Sequence, residues 1–376
     1  MKRRTIVYVT GTRADFGLMK RTLAAVRAHP GLRLRVIATG MHLQKSRGET
    51  LRELRAAGFA PDVVVPWTDD GSPASVARAT HQLGMKLVEA YAKLKADGVL
   101  VLGDRVEAFA AASAGHLSGL LVGHVHGGDR ALGQADDSLR HAISKLAHVH
   151  FAATADSGRR LAKLGEEKRR IFVVGAPGIE AITRDAWSKA EVREFFGDLS
   201  RTAVVALHPV SADAELEERQ TTGVIKGVLA GGVEQLIAVM PNTDPGADGI
   251  MEALFKNASE RVLLLRNAER DAFLGLLRDA AVLVGNSSAG IIEAASFGLP
   301  VVDVGPRQTG RLCGRNVVHV GYGARGIAAE VRRVMEGGVR YRAANPYSRP
   351  GTAGRIAATL AQPAVWNWPR NKVIAY

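Results

Sequence analysis

Two rhythms of apolar residues alternate along this chain of 376 residues. Short unbroken runs rich in Val, Ile and Leu occupy residues 5–10, 34–38, 63–66, 99–102, 120–125, 149–153 and 171–174. A second set follows at 203–207, 235–240, 262–265, 282–284, 301–304 and 317–320. A strand buried on both faces needs such a continuous β-branched run, and strands of that kind belong to parallel sheets covered by helices. Between the runs lie longer stretches in which apolar residues return at helical spacing, among them 107–117, 137–147, 215–229, 270–279, 291–297 and 327–336. The alternation predicts an α/β fold with doubly wound parallel sheets.

The rhythm loosens over residues 176–200, where a Pro-Gly turn precedes a polar stretch. That break predicts two domains, residues 1–178 and 179–376, each a Rossmann-like sheet of six or seven strands facing a common cleft, with the last helix and tail returning to the first domain. The chain length points the same way, because single hydrophobic cores stop growing at about 250–300 residues. Ligands of open α/β sheets sit beyond the carboxyl ends of the strands. The polar motifs obey that rule. GTRAD follows the first strand, GDR the fourth and HGGD the fifth; HP, PNTD and GNSS follow strands of the second half.

Charge and composition narrow the partners. Lys and Arg number 50 against 37 Asp and Glu, a net +13. Such a balance suits nucleic acid, an anionic substrate, or merely an arginine-rich surface. Aromatic residues are 5% and do not alternate with basic ones, and no nucleic-acid motif occurs, so no nucleic-acid partner is expected. No apolar run approaches the roughly 18–20 residues of a membrane span, so no membrane partner is expected either. The opening MKRRTIVYVTG carries an apolar run below the roughly 7–15 residues of a secretory core. Cys313 is the one cysteine, which excludes internal disulfides; a cytoplasmic protein is expected.

The candidate chemistry lies in the strand-end motifs. In Gly11-Thr12-Arg13 a strand-to-helix turn can offer free N–H groups and a guanidinium to an anion, and it is equally an ordinary turn with a surface arginine. Asp104 and Arg105 end the fourth strand, as a structural pair or as functional groups. Residues 124–141, HVHGGDRALGQADDSLRH, are the densest in titratable groups. His124 and His126, two apart on a strand, are expected to share a face, and with Asp129 they raise a metal site as a rival reading. No second His-rich motif supports it, and no metal is expected. Asp136 and Asp137 stand where a helix begins, so one should be its N-cap, and adjacent carboxylates can also form a proton carrier. Asp137 and His141 share a helix face; His148 and His150 read as structural. In the second half, His208 precedes a Pro-fixed turn and Asn242 lies in a similar one. Ser287 and Ser288 open a helix as a phosphate cradle. Glu293, one turn on, suits a ribose diol, and Arg307 and Arg311 supply cations.

Taken in order over residues 8 to 311, GTRADFGL, LGDRVEA, HVHGGD…DDSLRHAISKLAH, LHPV, PNTD, VGNSSAGIIEAASFGLPVVDVG and PRQTGR resemble the hydrolysing UDP-N-acetylglucosamine 2-epimerases of the sialic-acid-type branch. The resemblance implies a two-domain glycosyltransferase-B-like fold, a UDP-sugar substrate, no cofactor, and a homodimer or homotetramer. It implies conversion of UDP-GlcNAc and water to UDP and N-acetylmannosamine, through elimination to a 2-acetamidoglucal and hydration with inversion at C2. Asp104, Asp136, Asp137 and His208 match catalytic positions, and His126 stands where some members carry Glu. Arg13, Ser287, Ser288, Glu293 and Arg307 match groups holding the nucleotide. Arg105, Asn242 and Asp129 are further substrate-side positions, Asp129 being one methylene shorter than the usual Glu. The same chemistry on a modified UDP- or GDP-linked N-acetyl sugar is one alternative. A transferase of the same build and a non-catalytic sugar-nucleotide binder are the others.

Overall fold

The computed structural model describes residues 3–43, 50–130, 135–241, 245–266 and 269–375, with the backbone alone for residues 135 and 136. The chain divides into two compact units. The first comprises residues up to Asp129, Ala135–Glu180 and the chain from Tyr347 on; the second spans Ala181–Pro346.

The first unit holds seven parallel strands among the described residues: β1 (Arg4–Thr10), β2 (Leu32–Ala38), β3 (Val63–Val64), β4 (Gly98–Leu102), β5 (Leu121–Val125), β6 (Val149–Ala152) and β7 (Ile171–Val173), in the order β3-β2-β1-β4-β5-β6-β7. The order reverses between β1 and β4, where Ile6 pairs with Gly98 and Tyr8 with Leu100. On one face Ile6, Tyr8, Met19 and Leu23 pack with Ile356 and Leu360 of the helix Thr352–Ala361. On the other, Val7, Val9, Leu83, Val101, Ala111 and Ile143 form a second core. Both faces are covered, as the unbroken apolar runs require.

The residues after that helix are tied down by chemistry as well as packing. Trp366 Nε1 donates to Leu360 O at 2.7 Å, and Arg4 lies 4.8 Å over its ring. Arg170 is fully buried; it donates to Glu167 at 2.8 Å and to Pro369 O at 3.2 Å, and stacks on Trp368.

The second unit holds six parallel strands among the described residues: β8 (Thr202–Ala206), β9 (Gln235–Val239), β10 (Val262–Leu265), β11 (Val282–Gly285), β12 (Val301–Val304) and β13 (Val317–Val320), in the order β10-β9-β8-β11-β12-β13. Its reversal falls between β8 and β11. Each unit therefore has the doubly wound α/β architecture that the alternation predicts. No helix among the described residues is long and apolar enough to cross a membrane.

Candidate active site

Strands β1, β4 and β5 lie side by side, so the turns that leave their carboxyl ends are neighbours. After β1, Thr12 caps the helix Arg13–Ala28: Asp15 N donates to Thr12 Oγ1 at 3.1 Å, and Thr12 N returns to Asp15 Oδ2 at 3.0 Å. Gly11 N also donates to Asp15, at 3.0 Å. Burial raises the Asp15 carboxyl to about 6, although the bonds from Thr10 and Gly11 pull it down. Arg13, first residue of the helix, pairs through Nε with Glu53 at 2.9 Å. Arg105 donates to the buried Glu107 at 3.2 Å. Glu107 sits against the turn: a Cβ on Gly11 would stand 2.7 Å from its carboxylate, which explains the glycine there.

The turns after β4 and β5 are joined by a residue that the sequence reading passed over. Arg140 is buried, donates through Nη2 to Asp104, and donates through Nη1 to His126 O at 3.2 Å. It stands three residues before the fully buried Ile143, on the inner face of the helix Ala135–Leu146. An arginine on a buried helix face needs an anionic partner, and that was the available signal.

Two expectations about this loop need correction. The paired-histidine reading fails because β5 ends at Val125, and His126 turns out of the strand with φ of 64°. His124 is instead locked in the core, its Nε2 2.7 Å from Gly103 O and its Nδ1 3.1 Å from Ser144 Oγ. Burial lowers its pKa to about 3, so it stays neutral. Among the described residues, no group of three or more His, Cys, Asp or Glu could hold a metal ion. The N-cap reading fails as well, because the helix starts at Ala135 and both aspartates fall in its first turn. There the Asp137 carboxylate still lies in the first turn, at the positive end of the helix dipole. Asp137 lies 3.5 Å from His141 Nε2, one helical turn on; the Asp136 side chain is outside the described residues.

His126 Nδ1 is 2.8 Å from Asp129 Oδ2, and Ser157 Oγ donates to Asp129 Oδ1 at 2.6 Å. Both carboxylate oxygens are thus engaged, and Asp129 is 3% exposed. Facing a carboxylate oxygen, Nδ1 donates, and a neutral His126 ring then carries its lone pair at Nε2, the arrangement of a base. His148 and His150 are structural: Val122 N donates to His148 Nδ1 at 3.0 Å, and His150 pairs with the buried Glu166 at 2.9 Å.

In the second unit, β8 and β11 are the neighbouring strands whose ends carry candidates. His208, half-buried, follows β8, and Asn286 follows β11. Ser287 caps a short helix, Ser288–Ile292, and accepts from Ala289 N at 3.3 Å. The predicted helix over 291–297 is therefore shifted: it starts at Ser288, ends at Ile292, and a 3-10 turn Ala294–Ser296 follows. Glu293 is 7% exposed and pairs with Arg270 at 2.7 Å. Arg307, in the turn after β12, donates to Asn286 O at 3.1 Å. Glu217, also missed, is buried and accepts from Val210 N at 2.7 Å and Ser211 N at 2.8 Å, which fixes the turn after His208. Asn242 lies outside the described residues.

The first unit thus gathers Asp104, Arg140, His126 and Asp129 into one bonded group, with Arg13 and Arg105 held by separate glutamates. The second gathers His208, Asn286 and Arg307. An acid and a histidine with a defined tautomer can move protons; guanidinium and hydroxyl groups beyond strand ends can hold a phosphate.

Comparison with known proteins is in keeping with these features. The family model for UDP-N-acetylglucosamine 2-epimerase matches residues 24–361. A UDP-N-acetylglucosamine 2-epimerase of Neisseria meningitidis serogroup B is 34% identical over 373 residues, covering 98% of this chain and 97% of the relative. The UDP-N,N'-diacetylbacillosamine 2-epimerase (hydrolyzing) of Legionella pneumophila is 38% identical over 325 residues, covering 84% and 85%. Among solved structures, UDP-GlcNAc 2-epimerase from Neisseria meningitidis bound to UDP-GlcNAc superposes with a TM-score of 0.81 at 20% identity, covering 95% of this chain and 99% of that one. That likeness concerns the fold.

Proposed function

Because this chain belongs to the UDP-N-acetylglucosamine 2-epimerase family, we propose that it is a hydrolysing epimerase that turns UDP-GlcNAc and water into UDP and N-acetylmannosamine. The observation that carries this reading is the His126–Asp129 pair joined through Arg140 to Asp104. It sets a histidine with its lone pair at Nε2 and an anionic carboxylate at adjacent strand ends. In the first step a base takes the C2 proton, the C1–O bond breaks, and its electron pair leaves with UDP, giving the 2-acetamidoglucal. In the second, water adds its oxygen at C1 and a proton returns to C2 from the opposite face. Both steps need two proton carriers held on the sugar ring.

We assign the proton carriers to His126, Asp104, Asp137 with its neighbour Asp136, and His208. Asp129 orients His126, and Arg105 and Asn242 serve as further sugar-side contacts. Arg13, Ser287, Ser288 and Arg307 stabilise charge growing on the diphosphate, and Glu293 takes the ribose. Arg13 then exchanges Glu53 for phosphate, a trade that a half-exposed ion pair permits at little cost. No step requires a metal or redox cofactor from the protein.

The test is incubation with UDP-GlcNAc in D₂O, followed by proton NMR. Free N-acetylmannosamine deuterated at C2, with UDP, is expected. UDP-ManNAc would overturn the hydrolytic reading while leaving epimerisation in place. A second reading, the same chemistry on a modified UDP-sugar, is favoured by the likeness to the Legionella relative, named for UDP-N,N'-diacetylbacillosamine. Turnover of that sugar nucleotide with UDP-GlcNAc left unchanged would select it.

A further inference from the structure

Asn286 is 1% exposed, and the backbone around it passes unusually close to β8. Gly285 adopts φ of 137°, and a Cβ there would overlap Ala206 O, so only glycine lets β11 approach β8 at this point. One residue on, Asn286 N donates to Ala206 O at 3.1 Å. Its side chain then continues the ladder. Oδ1 accepts from His208 N at 2.7 Å, and Nδ2 donates to His208 O at 2.8 Å. A side-chain amide thus satisfies both main-chain polar groups of the histidine, and this double bond also fixes which end of the amide is oxygen. On its other side the Asn286 carbonyl accepts from Arg307 Nη1 at 3.1 Å and from Gln308 Nε2 at 2.7 Å. Gln308, also 1% exposed, accepts in turn from Arg311 Nη1 at 2.9 Å.

We infer that Asn286 is a positioning residue that couples the arginine-bearing turn 305–311 to His208, so that binding of a nucleoside diphosphate at Arg307 sets the placement of the histidine. This rests on the reading of His208 as a proton carrier and of Arg307 as a diphosphate contact. A diphosphate that draws on the Arg307 guanidinium changes its bond to the Asn286 carbonyl. The same residue holds His208 by two side-chain bonds, so the change passes within one buried residue, from its main-chain carbonyl to its side-chain amide, rather than through a chain of loose contacts. Coupling of this kind is reciprocal: what disturbs the clamp on His208 must also alter the response to nucleotide.

The decisive variant is Asn286→Asp, which keeps an acceptor for His208 N but sets a carboxylate oxygen against His208 O. The readout is the His208 ring signal in NMR of protein labelled with ¹⁵N-histidine, assigned by its loss in His208→Asn, with UDP as the probe. In the unaltered protein, UDP is expected to shift that signal. In Asn286→Asp the shift is expected to fall at least fourfold and kcat roughly 10–100-fold, while the Kd for UDP stays within about threefold. An equal UDP-induced shift and an equal kcat in the variant overturn the inference and leave the epimerase reading standing. Failure of the unaltered protein to bind UDP overturns both. Should Asn286→Asp not fold, Gln308→Met serves: it spares the clamp on His208 and removes one link to the turn. It is expected to cut the shift by about half, and an undiminished shift counts against the coupling.

Discussion

His126 Nδ1 stands 2.8 Å from Asp129 Oδ2, and the second oxygen of that carboxylate is taken by Ser157 at 2.6 Å. The acid is therefore spent on orienting the ring. In Asp129→Asn the amide can accept from Ser157 only by turning its NH₂ toward His126, which forces the ring into the tautomer with hydrogen on Nε2. Turnover of UDP-GlcNAc is expected to fall roughly 10²–10⁴-fold, with UDP affinity little changed. Steady-state kinetics beside UDP titration calorimetry checks this. Turnover within a few-fold of the unaltered protein would remove His126 from proton transfer.

Asp104 and Arg140 make a different kind of pair. Arg140 is almost wholly buried, whereas the Asp104 side chain keeps 20% of its surface. Asp104→Asn leaves a hydrogen-bond acceptor for the guanidinium but removes the opposing charge. A loss of about 1–3 kcal/mol in stability is expected, since a buried cation then lacks its anion. If Asp104 also moves protons, turnover falls roughly 10²–10⁴-fold, and Asp104→Glu, which restores charge with altered reach, regains stability more than rate. Urea melts and kinetics on both variants separate the two contributions. Equal recovery of both would make Asp104 purely structural.

The architecture could be read from the sequence because its signal is local. An unbroken run such as Ile6–Val9 cannot hide a polar face, so it must be a strand with cover on both sides, and its successor motif must lie at a carboxyl end. The strand-end placement of the candidate site was legible, its contacts far less so. His126 was misplaced because its left-handed backbone, φ 64°, is invisible in alternation counting, which carries β5 one residue too far. Arg140 was missed because its role depends on helix register, and the helix begins at Ala135, two residues before the predicted start. Asn286 was hidden between Gly285 and the serines: its partner is His208, 78 residues away, and only the pairing of β8 with β11 brings them together.

That pairing supplies a structural prediction. Gly285 is the point at which β11 comes too close to β8 for any side chain, and its φ of 137° is open only to glycine. Gly285→Ala must push the strands apart or force the backbone elsewhere, at a cost of about 1–3 kcal/mol. Because Asn286 follows directly, the clamp on His208 should loosen as well. Thermal melts should show the lost stability, and protection of the His208 amide from hydrogen exchange should drop with it. A variant of unchanged stability and protection would mean that the close approach is not needed.

The last prediction concerns acid stability and the C-terminal segment. Glu166 is 3% exposed and takes Lys372 at 2.6 Å, Lys145 at 2.8 Å and His150 at 2.9 Å. Burial pushes its carboxyl up, but the bonds and charges of those partners outweigh burial and bring it down to about 2. A carboxylate whose folded pKa lies below its unfolded value of about 4.3 stabilises the fold above that value. The contribution is lost as pH falls through 4 toward 2. Glu166→Gln is therefore expected to cost up to about 3 kcal/mol at pH 7, and the difference from the unaltered protein should shrink steadily below pH 4. Since Lys372 and the bond from Ala375 N to Gly165 O both anchor the end of the chain here, amide exchange near residue 372 should rise over the same window. Urea midpoints at pH 7 and pH 3 give the first quantity, and hydrogen exchange the second. A stability difference that stays constant from pH 7 to pH 3 would show that packing alone, through Trp366 and Trp368, holds the segment in place.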